Sequence, residues 1–227
     1  MDEKSGLRHV LIAKRANAFA KWPNAGVLLE SNFPSCISVF DQTVVAGYMP
    51  FRTEINPLPL TRLLVKQGAL FASPRMNSPS HLWGGVGVGG DVTDTSPALG
   101  TKTAPHPPTP SPQVGRGEAL QFHFCELNNS SHFTVNKMGL LEPVHTLPTA
   151  TPTILLVPLL GFDRQGNRLG YGKGYYDTAI ACLRANSTII AIGVAFAEQE
   201  VESIPTQPHD QRLDWIITQN EAYRFPS

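Results

Sequence analysis

The chain has 227 residues, enough for one well-formed hydrophobic core, and its 18 lysines and arginines balance its 18 aspartates and glutamates. This balance argues against binding driven by overall charge to nucleic acid or an acidic membrane. The three dispersed cysteines form neither a disulfide framework nor a zinc pattern, and no apolar run reaches the roughly 18 residues of a transmembrane helix. The N-terminus is charged and lacks an apolar signal region, so we expect a cytoplasmic protein. We also expect that the protein is a monomer and that it binds neither nucleic acid nor membrane.

Residues 2–21 are rich in Ala, Leu, Lys and Arg and are predicted to form a helix. At about 100° per residue, Lys4, Arg8 and Arg15 fall in a narrow stripe beside the apolar residue Leu11. A cationic stripe next to a buried face either points into a cleft or is a solvated helix face, and the pattern alone favours the solvated face.

An α/β unit follows the first helix. Its predicted elements are a helix over 24–32, strands at 37–39 and 44–48, a helix that Asn56-Pro57 opens and Gly68 caps, and a strand at 69–72.

The composition changes sharply from residue 74 to residue 117, where prolines and glycines replace large apolar residues. Such a segment cannot bury enough apolar surface to offset its ordering entropy. We predict a disordered or loosely packed insertion within a single domain of residues 1–227. A proline-rich ligand or a His-containing metal site at 105–112 is a minor alternative. A strand at 121–127 resumes the fold.

Residues 161–177, called here the glycine-rich segment, read G-F-D-R-Q-G-N-R-L-G-Y-G-K-G-Y-Y-D. The apolar run 154–157 precedes the segment, and an apolar pattern at helical spacing over 176–183 follows it, which predicts a strand, a loop and a helix. Backbone N–H groups of such a loop and of the helix N-terminus can bind an anion. Lys173 and the arginines of the segment supply charge for phosphate.

The glycine-rich segment differs from the two common nucleotide-binding loops. A P-loop requires a glycine five residues before its Gly-Lys pair and Ser or Thr after the lysine, but Asn167 and Gly174 occupy these positions. The glycines at 170, 172 and 174 also lack the G-x-G-x-x-G spacing of a dinucleotide site. An ordinary glycine-rich turn remains an alternative, although plain turns rarely carry so many cations and tyrosines.

The remaining pattern predicts a central strand at 188–196, a polar loop that contains His209-Asp210, and a last strand at 213–218. The expected fold is therefore α/β: three layers, Rossmann-like, with a mainly parallel sheet, helices on both faces and a Pro/Gly-rich insertion. The active cleft is expected at the carboxyl ends of the strands.

The sequence L-V-P-L-L-G-F-D-R-Q-G-N-R-L-G-Y-G-K-G-Y-Y-D, residues 156–177, closely resembles the signature of the 5-formyltetrahydrofolate cyclo-ligase family. Lys4 and Arg8 match a K-x-x-x-R helix that contacts ATP in this family, and residues 139–143 resemble its G-x-x-E-P element, in which Glu142 either orients the site or is an ordinary turn carboxylate. The resemblance implies conversion of 5-formyltetrahydrofolate and ATP to 5,10-methenyltetrahydrofolate, ADP and phosphate, with Mg²⁺, through a phosphorylated formyl intermediate.

The resemblance and the chemistry that it requires assign roles to individual residues. Catalysis is expected of Lys173, Tyr175 and Arg168. The ATP site is expected to include Lys4, Arg8, Arg168, Gly170, Gly172, Lys173, Gly174, Tyr175 and Tyr176. The folate site is expected to include Tyr48, Met49, Glu54, Tyr171 and Tyr175. The Mg²⁺ ligands are expected to be Asp177 and Asp210.

One departure from the family pattern is Tyr171, where some relatives carry arginine. The alternative function is a folate-binding relative of the same fold that has lost catalysis. A sugar-phosphate isomerase or CoA-type α/β enzyme has a similar sheet, so fold alone does not exclude it, but such enzymes do not need the signature of residues 161–177.

Overall fold

The computed structural model describes residues 3–76 and 120–225. The helices in these ranges are α1 (Glu3–Lys21), α2 (Ala25–Ser31), α3 (Leu58–Lys66) and α4 (Tyr175–Asn186). The strands are β1 (Val44–Ala46), β2 (Leu70–Met76), β3 (Leu120–Phe124), β4 (Phe133–Val135), β5 (Leu141–Pro143), β6 (Ile154–Pro158), β7 (Gly161–Phe162), β8 (Arg168–Leu169), β9 (Ile190–Val194), β10 (Trp215–Ile217) and β11 (Ala222–Arg224). None of these helices is both long and apolar enough to cross a membrane.

The main sheet has seven strands in the order β11-β10-β9-β6-β1-β2-β3. The inner strands β10, β9, β6, β1 and β2 are parallel, whereas the edge strands β11 and β3 run antiparallel to their neighbours. The central strand β6 is a continuous apolar run, as expected for a parallel strand that is covered on both faces. The predicted mainly parallel α/β fold is confirmed.

Helices cover both faces of the sheet because successive strand residues point to opposite sides. Leu156 of β6 packs in a core that includes Leu29 of α2 and Leu64 of α3. Its neighbour Leu155 packs in a second core that includes Ile180 of α4. These two cores give the three layers that the sequence predicted.

The prediction of a strand at 37–39 is wrong. The Ile37 N–H donates to the Pro34 carbonyl over 3.0 Å, so this backbone forms a turn. Both edges of β1 are already paired, with β2 and β6, and a further strand has no place beside it.

The insertion was predicted to begin at residue 74, but Pro74, Arg75 and Met76 belong to β2 and pair with β3. Met76 lies opposite Leu120, so the described chain leaves and re-enters the sheet at neighbouring positions. The rest of the predicted insertion, including the candidate ligand or metal segment at 105–112, lies outside the described residues.

The sequence pattern also missed several short strands. β7 and β8 form an antiparallel hairpin inside the glycine-rich segment, which was predicted as a single loop. A second small hairpin pairs β4 with β5, and β11 adds to the edge of the main sheet. Strands of two or three residues are too short to show alternation in sequence.

Candidate active site

The glycine-rich segment follows the central strand β6, and a buried aspartate fixes its first half. Asp163 is fully buried, and its Oδ1 accepts the N–H groups of Gln165 and Asn167, each at 3.0 Å. Its Oδ2 accepts the Asn167 side-chain amide at 2.9 Å and the Ile204 N–H at 3.0 Å. This network closes the β7–β8 hairpin and satisfies the buried carboxylate, so Asp163 is a structural residue.

Helix α1 lies directly against the glycine-rich segment. A Cβ atom on Gly161 would lie 2.6 Å from Leu11 Cδ1, so the helix packs on β7 where a side chain has no room. Arg8 Nε donates to the Gly170 carbonyl over 3.1 Å. Gly172 has φ +90°, and a Cβ atom there would lie 3.0 Å from the Arg8 guanidinium carbon. The positive φ favours glycine at position 172, and the Arg8 guanidinium packs closely against it.

The second half of the segment leads into the N-terminus of α4. Gly174 is the N-cap residue with φ +72° and makes no side-chain cap, so the N–H groups of the first helical turn have no acceptor from a cap side chain. Lys173 is exposed and makes no hydrogen bond or ion pair with any described residue. A helix N-terminus beside a lysine and Arg8 is an arrangement that can bind an anion such as phosphate.

One ion pair lies within the segment, and a second joins α1 to the loop that contains Asp210. Arg168 Nη2 donates to Asp177 Oδ1 over 2.9 Å, and the same oxygen accepts the Gln211 N–H at 2.9 Å. Lys4 Nζ donates to Asp210 Oδ2 over 2.5 Å. The two predicted metal ligands therefore lie in neighbouring parts of the structure, each beside a cation.

The other predicted ATP-site residues lie at the start of α4. Tyr175 is the first residue of this helix, and Tyr176 is the second. Burial, followed by the charge of Glu54, raises the pKa of Tyr176, while Arg168 acts in the opposite direction. The phenol of Tyr176 therefore stays neutral.

The predicted folate residues follow β1. Tyr48 is buried in the core, and its hydroxyl donates to the Ile55 carbonyl over 2.8 Å, whereas Met49 is half-buried. Glu54 is buried, and its Oε2 accepts the Phe51 N–H at 3.0 Å. Burial raises the pKa of Glu54, and the Phe51 N–H and the Arg15 charge lower it in part. Burial and the charge of Glu54 raise the pKa of Tyr48 well above its usual value.

One residue in contact with the predicted site was not predicted as part of it. Arg15 of α1 is only 2% exposed and contacts Thr53, Glu54 and Tyr171. The cationic stripe with Lys4 and Arg8 was the sequence signal for this residue, because all three lie on one face of the helix. Lys4 and Arg15 are buried, so their stripe faces the protein rather than the solvent.

Some residues that the sequence placed near the site lie elsewhere. Arg164, one of the arginines proposed to supply charge for phosphate, instead donates to Glu200 over 2.6 Å. Glu142 pairs with Arg75 of β2 at 3.2 Å and accepts from Asn136 at 3.1 Å. These contacts hold the β4–β5 hairpin against the sheet, which favours the structural role for Glu142.

The sequence and the fold were compared with known proteins. The model of the 5-formyltetrahydrofolate cyclo-ligase family matches residues 107–219, a region that begins inside the predicted insertion. A 5-formyltetrahydrofolate cyclo-ligase of Haemophilus influenzae is 39% identical over 86 residues, which cover 36% of this chain and 46% of the relative. The protein of the same description from Mus musculus is 40% identical over 73 residues, covering 31% of this chain and 36% of the relative. These alignments span less than half the length of either relative.

Two solved structures share the fold. The NMR structure of Aquifex aeolicus 5,10-methenyltetrahydrofolate synthetase aligns with a TM-score of 0.64 and 21% identity, covering 99% of this chain and 93% of the other. A 5,10-methenyltetrahydrofolate synthetase from Mycoplasma pneumoniae aligns with a TM-score of 0.58 and 18% identity, covering 96% and 99%. Residues 107–219 thus match the 5-formyltetrahydrofolate cyclo-ligase family in sequence, and the chain as a whole shares the fold of the two 5,10-methenyltetrahydrofolate synthetases.

Proposed function

We propose that the protein converts 5-formyltetrahydrofolate and ATP to 5,10-methenyltetrahydrofolate, ADP and phosphate. The observation that carries this proposal is that Arg8 of α1 contacts the glycine-rich segment beside Lys173 and the N-terminus of α4. The family match supports the choice of reaction among those that an anion site could serve.

The nucleotide side of the site binds the triphosphate. Lys173 is exposed and has no ionic partner in the described ranges, so it can bind phosphate without losing an existing contact. Arg8 lies across the loop from it, and the N–H groups of the first turn of α4 add donors. Such preorganised donors stabilise the charge that develops during phosphoryl transfer.

The carboxylates of Asp177 and Asp210 fit a magnesium ion only when phosphate is also bound. Each uses one oxygen for a cation and a backbone N–H, which leaves Asp177 Oδ2 and Asp210 Oδ1 without a hydrogen bond to the described residues. No group of three potential metal-binding side chains occurs in the described ranges. Since Mg²⁺ commonly takes one or two carboxylates together with phosphate oxygens and water, these residues would hold it there. The ion would neutralise charge on the phosphates.

The folate side lies between α1, the loop after β1 and the glycine-rich segment. Tyr171 is 47% exposed, and its ring is a flat surface on which an aromatic ring of the substrate can stack. Glu54 and Met49 belong to the loop after β1, and Arg15 contacts both Glu54 and Tyr171. We assign Tyr48 to the wall behind Glu54 and Met49, because its ring and hydroxyl are already engaged in the core.

The reaction needs two bond exchanges. The formyl oxygen attacks the γ-phosphorus as the bond to the ADP oxygen breaks, which gives a phosphorylated formyl group. N10 then attacks the formyl carbon, the C–O bond breaks, phosphate leaves, and the N10 proton passes to solvent. The protein holds the two substrates in line, and Lys173, Arg8 and Arg168 offset the charge of the transferred phosphoryl group.

The test is product formation from folinic acid with MgATP, followed by the near-ultraviolet absorbance of the methenyl product. Growth of this signal that depends on both ATP and folinic acid supports the proposal. Folinate binding in calorimetry without turnover would instead identify a relative that has lost catalysis. Absence of both binding and turnover would overturn the proposed function.

A further inference from the structure

Arg15 is among the largest fully buried side chains of the protein, at a position of α1 where an apolar residue would be expected. Its neighbours on the same helix face, Leu11 and Ala18, are apolar and buried. A buried guanidinium is costly unless its donors are satisfied. An arginine at this position therefore requires an explanation beyond core packing.

The three nitrogen atoms of Arg15 point to three different residues. Nε donates to Thr53 Oγ1 over 3.2 Å, and Nη2 donates to the Tyr171 hydroxyl. Nη1 has no hydrogen-bond partner and lies 3.7 Å from Glu54 Oε1. One side chain of α1 thus joins the loop after β1 to the glycine-rich segment.

Tyr171 depends on this contact for its position. It lies between Gly170 and Gly172, so its own backbone restrains it weakly. Arg15 is the residue that provides its hydrogen bond and its cation–π contact among the described residues, with the guanidinium carbon 5.4 Å from the ring centroid. The position of a half-exposed aromatic ring is therefore set by a buried charge.

We propose that Arg15 is a positioning residue for the folate substrate. It holds the Tyr171 ring and the Glu54 carboxylate at a fixed separation, so that a flat heterocycle can stack on the ring while its polar edge meets the carboxylate. It acts through these two residues and makes no contact with the nucleotide. This inference rests on the proposed function and assigns the residue that organises its folate side.

The test compares Michaelis constants for the two substrates in four variants. Arg15→Gln removes the positive charge and the guanidinium group. Arg15→Lys keeps the charge but loses the guanidinium donors that contact Thr53 and Tyr171. Tyr171→Phe removes only the hydroxyl that accepts from Arg15. Lys14→Gln is the control, because it removes an exposed charge from the adjacent position of α1. For Arg15→Gln we expect the KM for folinic acid to rise about tenfold or more, equivalent to about 1.4 kcal/mol, with the KM for ATP within about twofold of the unmodified protein. Arg15→Lys should recover part of this loss.

Tyr171→Phe keeps the test decisive even if Arg15→Gln folds poorly, because Tyr171 is half-exposed. Tyr171→Phe should also raise the KM for folinic acid. In the double variant Arg15→Gln/Tyr171→Phe, the fold-increase in this KM should be smaller than the product of the two single fold-increases, because both substitutions remove the same contact. Equal changes in both Michaelis constants, or independent effects of the two substitutions, would overturn the role of Arg15. If the unmodified protein neither turns over nor binds folinate, the proposed function itself fails.

Discussion

At the residue scale, the cations of the site differ in whether they have a partner. Lys4 is paired with Asp210 and Arg168 with Asp177, whereas Lys173 has no hydrogen bond or ion pair with the described residues. The paired cations shape the site before the substrate binds. Lys173 is instead available for the phosphate groups, so its effect should appear in turnover and not in folding.

Lys173→Ala should lower kcat/KM by about 100-fold or more, because it removes a charge that stabilises the transferring phosphoryl group. Initial rates of methenyl product formation measure this loss, and thermal unfolding should show an unchanged midpoint. Arg164→Ala is the matched control, since this cation belongs to the same segment but pairs with Glu200. Unchanged turnover in Lys173→Ala would contradict the assignment of the loop.

Individual site residues were only partly predictable from sequence. The cationic stripe of α1 was visible as a periodicity, and in the structure Arg8 contacts the glycine-rich segment while Lys4 pairs with Asp210. The role of Arg15 was not visible, because its partners Thr53 and Tyr171 are 38 and 156 residues away in the chain. Periodicity tells which face of a helix a residue occupies, but not which loop that face meets.

At the element scale, two helical glycines provide a matched pair for stability. A Cβ atom added at Gly6 of α1 would meet no atom within 4 Å, whereas one added at Gly26 of α2 would lie 2.3 Å from the Asn56 carbonyl oxygen. Gly6→Ala should stabilise the protein by about 0.5–1 kcal/mol, because alanine loses less backbone entropy in a helix. Gly26→Ala should destabilise it by about 1–3 kcal/mol, because the backbone at Asn56, just before α3, must move.

Chemical denaturation of the two glycine variants measures both changes against the unmodified protein. A stabilising effect of Gly26→Ala would show that α2 and the start of α3 do not pack as closely as described. The same effect in both variants would mean that helix propensity alone decides the result.

Glu198 joins the end of α1 to the short helical turn Ala197–Gln199 and to the end of β10. It accepts from Trp22 at 2.7 Å, from Lys21 at 3.1 Å and from Gln219 at 3.0 Å. Burial alone would raise the pKa of Glu198, but these hydrogen bonds and one from its own backbone together lower it to about 2. The ionised carboxylate therefore contributes to stability above its ordinary pKa of 4.5, and this contribution is lost as the pH falls towards 2.

Glu198→Gln should cost about 1–2 kcal/mol near pH 6, a value reduced for the solvent exposure of the pair with Lys21. The difference in unfolding free energy between the two proteins should shrink as the pH falls from 4.5 towards 2. Denaturation curves at several pH values measure it, and subtraction removes the other carboxylates. A difference that does not change with pH would rule out a charge-dependent role for Glu198.

The long elements were predictable and the short ones were not. α4, β6 and β9 bury apolar residues that the sequence pattern shows directly, and the 19 residues of α1 are rich in helix formers although two of its buried residues are cations. The β7–β8 hairpin depends instead on the buried carboxylate of Asp163, which accepts backbone N–H groups from its own turn and from residue 204. Such a contact joins residues that are distant in the chain, so no periodic pattern in the sequence predicts it.

At the scale of the whole molecule, α1 closes the site with contacts to distant parts of the chain. Lys4 reaches Asp210, Arg15 reaches Tyr171, and Lys21 reaches Glu198. The helix therefore bridges the loop after β1, the glycine-rich segment and the region before β10. These contacts join described residues on both sides of residues 77–119, so a deletion of 77–119 tests the predicted insertion.

Replacement of residues 77–119 by Asn-Gly should leave the fold and the turnover largely intact. Met76 and Leu120 are directly paired across an antiparallel ladder, so a two-residue type I′ turn can join them. If the segment does not pack on the domain, the shorter connection should add about 2–3 kcal/mol of stability through a smaller loop-closure cost. Thermal unfolding and product formation from folinic acid measure the two effects. A second deletion, of residues 77–106 alone, keeps the region that the family model matches. Loss of turnover in the longer deletion but not in the shorter one would show that residues 107–119 contribute to the site and that the insertion ends earlier than predicted.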